Sequence, residues 1–140
     1  MDSRVLCAEL SSVFLDPYRQ QLTIKKGSIS GVLEGQAVLD SRAVMGQVIQ
    51  VNPLNSRVLL ITDAKHAIPV QVLRNGLRTV AAGTGQLNRL IAPYLPNDAD
   101  IVVGDALVTS GLGGNVPAGY PVARVPAVYR DPGNHFSVLV

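Results

Sequence analysis

Apolar and polar positions alternate along most of the chain. In Gln20-Gln21-Leu22-Thr23-Ile24-Lys25, polar and apolar side chains trade places at every second residue, the pattern of a half-buried strand. Residues 44–51 form a β-branched run broken by Gly46, which predicts a strand with a bulge or a close backbone approach at the glycine. Residues 56–62 are continuously apolar between polar ends. Segments 78–83, 106–110, 120–129 and 136–140 read as further strands, and 4–10 as the first. Ile68, Val70 and Val72 share a face, and Pro69 among them predicts an edge strand or a bulge because proline has no N–H to give a ladder. No window of eleven residues carries helical spacing with caps. Residues 85–95 come nearest and are cut by Pro93 and Pro96.

An internal echo refines this picture. Gly35-Gln36-Ala37-Val38-Leu39 recurs as Gly104-Asp105-Ala106-Leu107-Val108, and each copy precedes a glycine and a Val-x-x-Val strand, at 46–51 and 119–125. Reused turn chemistry accounts for the echo, and so do two similar small barrels in one chain. About six strands between 20 and 85 suffice to close one small barrel. The expectation is an all-β fold of two small β-barrels packed together, a trypsin-like double-barrel arrangement without a catalytic triad. The second barrel is expected at 20–86, and the first, discontinuous, at 1–19 and 87–140.

Composition narrows what such a fold does. Of 140 residues, 47% are apolar and only 16% charged, so the chain can bury a core and is not disordered. The longest apolar runs are about four or five residues against the roughly twenty a spanning helix needs. A net charge of +2 supplies no basic field for counterion-driven nucleic-acid binding. Phe14, Tyr18, Tyr94, Tyr120, Tyr129 and Phe136 are scattered singly, which weakens an OB-like nucleic-acid binder. The single cysteine, Cys7, has no internal disulfide partner and does not identify a redox compartment.

A two-barrel chain raises the question of serine hydrolysis. Ser110-Gly111 lies in Val-Thr-Ser-Gly-Leu-Gly-Gly, but a nucleophilic serine needs a histidine base and a carboxylate to orient it. Only His66 and His135 exist. Asp63 and His66, three apart on one turn, read as a solvated aspartate and a surface histidine. Cys7, His66 and His135 are too dispersed for zinc, and no alternating acidic loop exists for calcium. Asp98 and Asp100 read as a turn. Gly83-Thr84-Gly85 and Gly111-Leu112-Gly113-Gly114 lack the following helix of a phosphate site. No catalytic residue, cofactor site or metal site is therefore expected. What remains is surface, where unpaired strand edges and apolar patches invite other chains.

The ordered set Asp16-Pro17, Leu22 to Ser28, Gly31-Val32, Gly35 to Val38, Met45 to Val48, Ser56 to Asp63, Ile68 to Val72, Asp100-Ile101, Gly104-Asp105, Leu107 to Gly114 and Pro117-x-Gly119-Tyr120-Pro121-Val122 resembles the periplasmic region of the rod shape-determining MreC family. The turn-forming positions of that motif are Gly27, Gly31, Gly35, Gly46, Gly104, Asp105, Ser110, Gly111, Gly113, Gly114 and Gly119. The resemblance implies a non-catalytic scaffold of the cell-elongation complex on the periplasmic side of the bacterial inner membrane. It implies homo-oligomers or filaments, contact with the wall-synthesis transpeptidase and glycosyltransferase and with MreD, and an indirect link to actin-like MreB. The membrane anchor and coiled coil of the family are expected N-terminal to this fragment. Ile101, Val102 and Tyr120 are the expected contact residues, because a tyrosine beside apolar strands is a common anchor. The alternatives are a serine hydrolase of two-barrel type and an OB-like nucleic-acid-binding domain.

Overall fold

The structure, a computed structural model, describes residues 6–16, 18–40, 43–87, 89–93, 95, 99–112, 116–125, 127–130 and 136–139. Strands β1 (Leu10–Asp16), β2 (Arg19–Ile24), β3 (Ala37–Leu39), β4 (Val44–Val51) and β5 (Ser56–Leu60) form an antiparallel sheet in the order β1-β2-β5-β4-β3. Strands β6 (Ala67–Val72), β7 (Arg78–Gly83), β8 (Leu90–Ile91), β9 (Ala106–Thr109) and β10 (Pro121–Arg124) form a second, in the order β10-β9-β6-β7-β8. A hairpin of β11 (Ala127–Arg130) and β12 (Phe136–Leu139) follows. Among the described residues the helical content is one 3-10 turn, Ser28–Ser30, and no helix is long and apolar enough to cross a membrane.

Hydrogen bonding groups the strands differently from the expected division at 19/20 and 86/87. β1 turns back onto β2 through a tight hairpin that pairs Asp16 with Arg19, so it belongs with β2–β5. β6 and β7 pair with β9 and β8, so they belong with the later strands. The chain changes sheets at the turn 61–66. Of the first strand expected at 4–10, residues 4 and 5 lie outside the described residues, 6–9 carry no strand, and β1 begins at Leu10.

β6 is a central strand, not the edge that Pro69 suggested. Proline is tolerated because residue 69 faces β9 just past its end. The β6–β9 ladder starts at Val70 opposite Thr109, and the Pro69 carbonyl takes the Ser110 N–H at 3.3 Å. Gly46 is the predicted close approach: a Cβ there would stand 2.6 Å from the Leu59 carbonyl oxygen on β5. The bulges lie beside it, both on β4: between Val48 and Gln50 against β5, and at Met45, between Val44 and Gly46, against Val38 and Leu39 of β3. The internal echo corresponds to structure too. In each copy the glycine opens a strand, β3 or β9, whose antiparallel neighbour is the later strand of that copy, β4 or β10.

Each sheet has its own core. Leu22, Ile24, Val32, Val48, Val58 and Leu60 fill the first. The second is larger, with Ile68, Val70, Val72, Leu107, Ile101 and Val125 among its members. It also takes in Val44 from β4 and Ile61 from the connecting turn, so the two sheets share apolar contact where they meet.

Candidate functional site

Three features combine polar or apolar chemistry in one place: the junction between the sheets, the loop between β8 and β9, and the outer edge at β1.

At the junction, alternation along β2 puts Gln20 on the same face as Leu22 and Ile24, and all three are buried. A polar group there needs partners, since an unpaired buried amide is costly. The Gln20 backbone N–H donates to Asp63 Oδ2 at 2.8 Å. Its side-chain Nε2 donates to the Gly85 carbonyl, and its Oε1 accepts the Thr62 hydroxyl. Asp63 Oδ1 accepts the Lys65 N–H at 2.8 Å. Gln47 Nε2, on β4, donates to the Gly35 carbonyl at 2.8 Å, which leaves its Oε1 to accept from His66 Nε2 at 2.9 Å. The turn is packed so closely against β7 that a Cβ at Gly83 would stand 2.0 Å from the Asp63 carbonyl oxygen. Asp63 and His66 are 2% and 6% exposed, which corrects the reading of a solvated aspartate and a surface histidine. The turn is buried because the other sheet closes over it. Burial pushes the His66 imidazole below its ordinary 6.5, and the nearby Asp63 carboxylate offsets part of that. An open cleft of about 430 Å³ runs along the meeting of the sheets, lined by Val44, Met45, Leu60, Ile61, Leu87 and Val122 among others.

In the β8–β9 loop, Asp105 is gripped by Arg74 of the β6–β7 turn, with Nε to Oδ1 at 2.9 Å and Nη2 to Oδ2 at 3.0 Å. The same guanidinium reaches Asp100 Oδ1 at 3.0 Å, and Asn75 donates to the Asp100 carbonyl at 2.8 Å. Asp105 Oδ2 also accepts the Val102 N–H at 3.0 Å. Hydrogen bonds from Arg74 hold both carboxyls below the usual carboxylate range, and in return the guanidinium is raised above its ordinary value. A planar, bidentate contact of this kind fixes geometry as well as charge. The loop it braces carries Val102, 50% exposed, and Val103, 64% exposed, with Leu73 exposed next to Arg74 in sequence.

At β1, Leu10, Val13, Phe14 and Leu15 are all exposed, on both faces of an edge strand. Phe14 lies 4.1 Å beneath the Arg19 guanidinium.

The expected site residues fall as follows. Ile101 is 3% exposed and sits in the second core, so burial removes it from the contact residues. Tyr120 is half-buried against that core, with its N–H on Thr109 Oγ1 at 2.9 Å. Of the three, Val102 faces out. Gly31, Gly35, Gly104, Gly111 and Gly119 have positive φ, as turns of the left-handed kind require. Gly27 is extended and lies against the Asn52 carbonyl, while Gly113 and Gly114 lie outside the described residues. Asp105 is a brace rather than a turn former alone. Ser110 closes on its own turn, its Oγ accepting the Leu112 N–H at 3.4 Å. Asp63 and His66 are bonded to Gln20, Lys65 and Gln47, so they form no triad with Ser110; His135, like Tyr94 and Asp98, lies outside the described residues. Among the described residues no three His, Cys, Asp or Glu side chains gather as a metal site, and Cys7 is exposed as a free thiol. Sequence reading missed Arg74, Gln47, Leu73 and Val103. For Gln20 a signal existed, since period two places it on the apolar face of β2.

The family model described as rod shape-determining protein MreC, barrel core, matches residues 12–140. The chain belongs to the MreC family. It is 50% identical over 99% of its length to the cell shape-determining protein MreC of Escherichia coli, covering 38% of that protein, and 49% identical over 94% to the one of Haemophilus influenzae, again covering 38%. It thus spans well under half the length of these relatives. The crystal structure of MreC from Pseudomonas aeruginosa superposes with a TM-score of 0.88 at 52% identity, over 98% of this chain and 88% of that one. The MreC relatives support the all-β, two-barrel reading of the two sheets.

Proposed function

We propose that this chain is the barrel core of a non-catalytic scaffold that maintains bacterial cell shape by organising peptidoglycan-synthesis enzymes in the periplasm. The observation that carries this reading is the division of labour among side chains in an MreC barrel core. Its buried and braced ionisable groups are spent on internal bonds, and apolar side chains are held outward on a braced loop. A surface of that kind suits protein binding rather than chemistry. One family member, that of Helicobacter pylori, has been solved in complex with penicillin-binding protein 2; it is 20% identical to this chain and shares its fold at a TM-score of 0.70.

The partner surface is the loop carrying Val102 and Val103, with exposed Leu73 beside the bracing Arg74 and Tyr120 as a half-buried support. The partners are the wall-synthesis transpeptidase and its glycosyltransferase, with MreD and, indirectly, actin-like MreB. Self-association into dimers or filaments uses the β1 edge, whose apolar side chains lie exposed on both faces. The whole protein sits at the periplasmic side of the inner membrane, held there by its anchor.

Complementation tests this reading. A full-length protein with Val102→Ser and Val103→Ser, expressed at the normal level, is expected to leave cells lacking their own copy rounded. Ser110→Ala is expected to restore rod shape. Rod shape with the double variant, or its loss with Ser110→Ala, would overturn the assignment.

A further inference from the structure

Asn75-Gly76, in the β6–β7 turn, is the single Asn-Gly pair of the chain. An asparagine before glycine is prone to close on itself, because no side chain on the next residue obstructs attack by its backbone nitrogen. Both residues are exposed, and nothing stands within 4 Å of where a Cβ on Gly76 would lie, so water reaches the pair. Two bonds orient the Asn75 amide: Oδ1 accepts the Leu77 N–H at 3.0 Å, and Nδ2 donates to the Asp100 carbonyl at 2.8 Å. The first folds the side-chain carbonyl over the Gly76 peptide, as an Asx turn does, and polarises Cγ toward attack. The second helps Arg74 hold the Asp100 end of the β8–β9 loop. The Gly76 N–H is donated to the Val72 carbonyl at 2.8 Å, so attack proceeds as that exposed turn bond opens.

We propose that Asn75 is a site of spontaneous deamidation, and that its conversion weakens the hold on the Asp100 end of the Val102 loop. The Gly76 nitrogen loses its proton and bonds to Asn75 Cγ. The Cγ–Nδ2 bond breaks, and Nδ2 leaves as ammonia with a proton in place of the one lost. Water then opens the succinimide, at Cγ to give aspartate or at the main-chain carbonyl to give isoaspartate. One water enters and one ammonia departs. Either product is a carboxylate with no N–H for the Asp100 carbonyl. It adds a negative charge where Asp100 and Asp105 already share one guanidinium. Isoaspartate also lengthens the main chain between Val72 and Leu77, whose N–H and carbonyl close the turn. The Arg74–Asp105 fork remains, so the loop loosens at one end.

Incubating the folded chain at pH 9 and 37 °C in heavy-oxygen water, then digesting it with trypsin in ordinary water, tests the modification by mass. Peptide 75–78 is expected to gain about three daltons, against about one without the label, and to split into aspartyl and isoaspartyl forms. The peptide holding Asn52 and Asn55 is expected to stay unchanged over the same time, and so is peptide 75–78 of Asn75→Gln, whose ring would need an extra atom. The untying is read on the converted chain, separated by its added negative charge, and on Asn75→Asp. In both, amide exchange at Ile101 and Val102 is expected to quicken about fivefold, as for the loss of one hydrogen bond, while Val58 on β5 holds. Weaker binding of the transpeptidase by the converted chain rests on the function proposed for that loop; mass and exchange do not, so the two fail separately. No mass gain at Asn75 in the folded chain, or unchanged exchange at Ile101 and Val102 after conversion, would overturn the proposal.

Discussion

The two sheets contain five strands each and differ in how far they satisfy themselves. The second encloses a core that runs from Ile68 to Val125 and draws Val44 and Ile61 in from the other side. The first rests on six buried side chains, and its outermost strand, β1, is exposed on both faces. Val13 pairs with buried Leu22, so it lies on the core side of the sheet, yet it is half in solvent because nothing among the described residues covers it. The lesson is that stability and availability are divided. The better-filled sheet fixes the shape and braces the loop proposed to bind a partner, and the thinner one leaves an exposed apolar edge.

Core truncation should break this contrast most strongly. Leu107→Ala is expected to cost about 3–4 kcal/mol in chemical denaturation, because the dense second core cannot close the cavity. Leu22→Ala should cost about 2–3 kcal/mol, since a thinly covered wall relaxes further. Equal costs would say that the first core is as tightly packed as the second. At the junction, Gly83→Ala is expected to cost about 2–3 kcal/mol, because its methyl group would force the Asp63 turn away from β7. Thermal unfolding that splits into two transitions would be the mark of sheets uncoupled by the change.

Acid sharpens the same boundary in two stages. His66 has a folded value below 6.5, so the unfolded chain binds its proton more readily and stability falls as pH drops below 6.5 toward the folded value. Asp105 and Asp100 have folded values below 3.8, so their contribution is present above 3.8 and is lost as pH falls through the folded values. Denaturant midpoints measured from pH 8 to pH 3 should show the earlier loss disappear in His66→Gln and the later one shrink in Asp105→Asn, leaving the Asp100 share. At neutral pH, Asp105→Asn should cost about 1 kcal/mol, a modest figure because Arg74 lies half in solvent. The smallest stability effect belongs to the β1 edge. Val13→Lys should change stability by no more than about 0.5 kcal/mol. It should nevertheless lower the concentration-dependent association seen by sedimentation, by placing a charge on the edge strand.

Much of the fold was legible in the pattern of residues. Strands 44–51 and 78–83 coincide with β4 and β7, because a strand with one buried face must alternate. β1 escaped because an edge strand with no buried face has no face to mark, and Ser11-Ser12 interrupts its apolar run. β8 is two residues long, too short to show a period. Sheet membership was misjudged because pairing β6 with β9 joins residues more than thirty apart, which alternation does not report. The junction was misread for a related reason. Asp63 and His66 lie on a turn, and a turn is buried only when another part of the fold covers it. In the β8–β9 loop, alternation could not tell that Ile101 points inward and Val102 outward, because the Arg74 brace sets the loop's direction.

The central claim, a scaffold whose braced apolar loop holds a wall-synthesis enzyme, is tested most directly by titrating this chain with the purified periplasmic part of the transpeptidase, penicillin-binding protein 2, of the same bacterium. The account predicts saturable binding that Val102→Ser with Val103→Ser weakens at least tenfold, while His66→Gln and Ser110→Ala bind as the wild type at pH 7.5. No binding by the wild-type chain, or undiminished binding by the double variant, would contradict it.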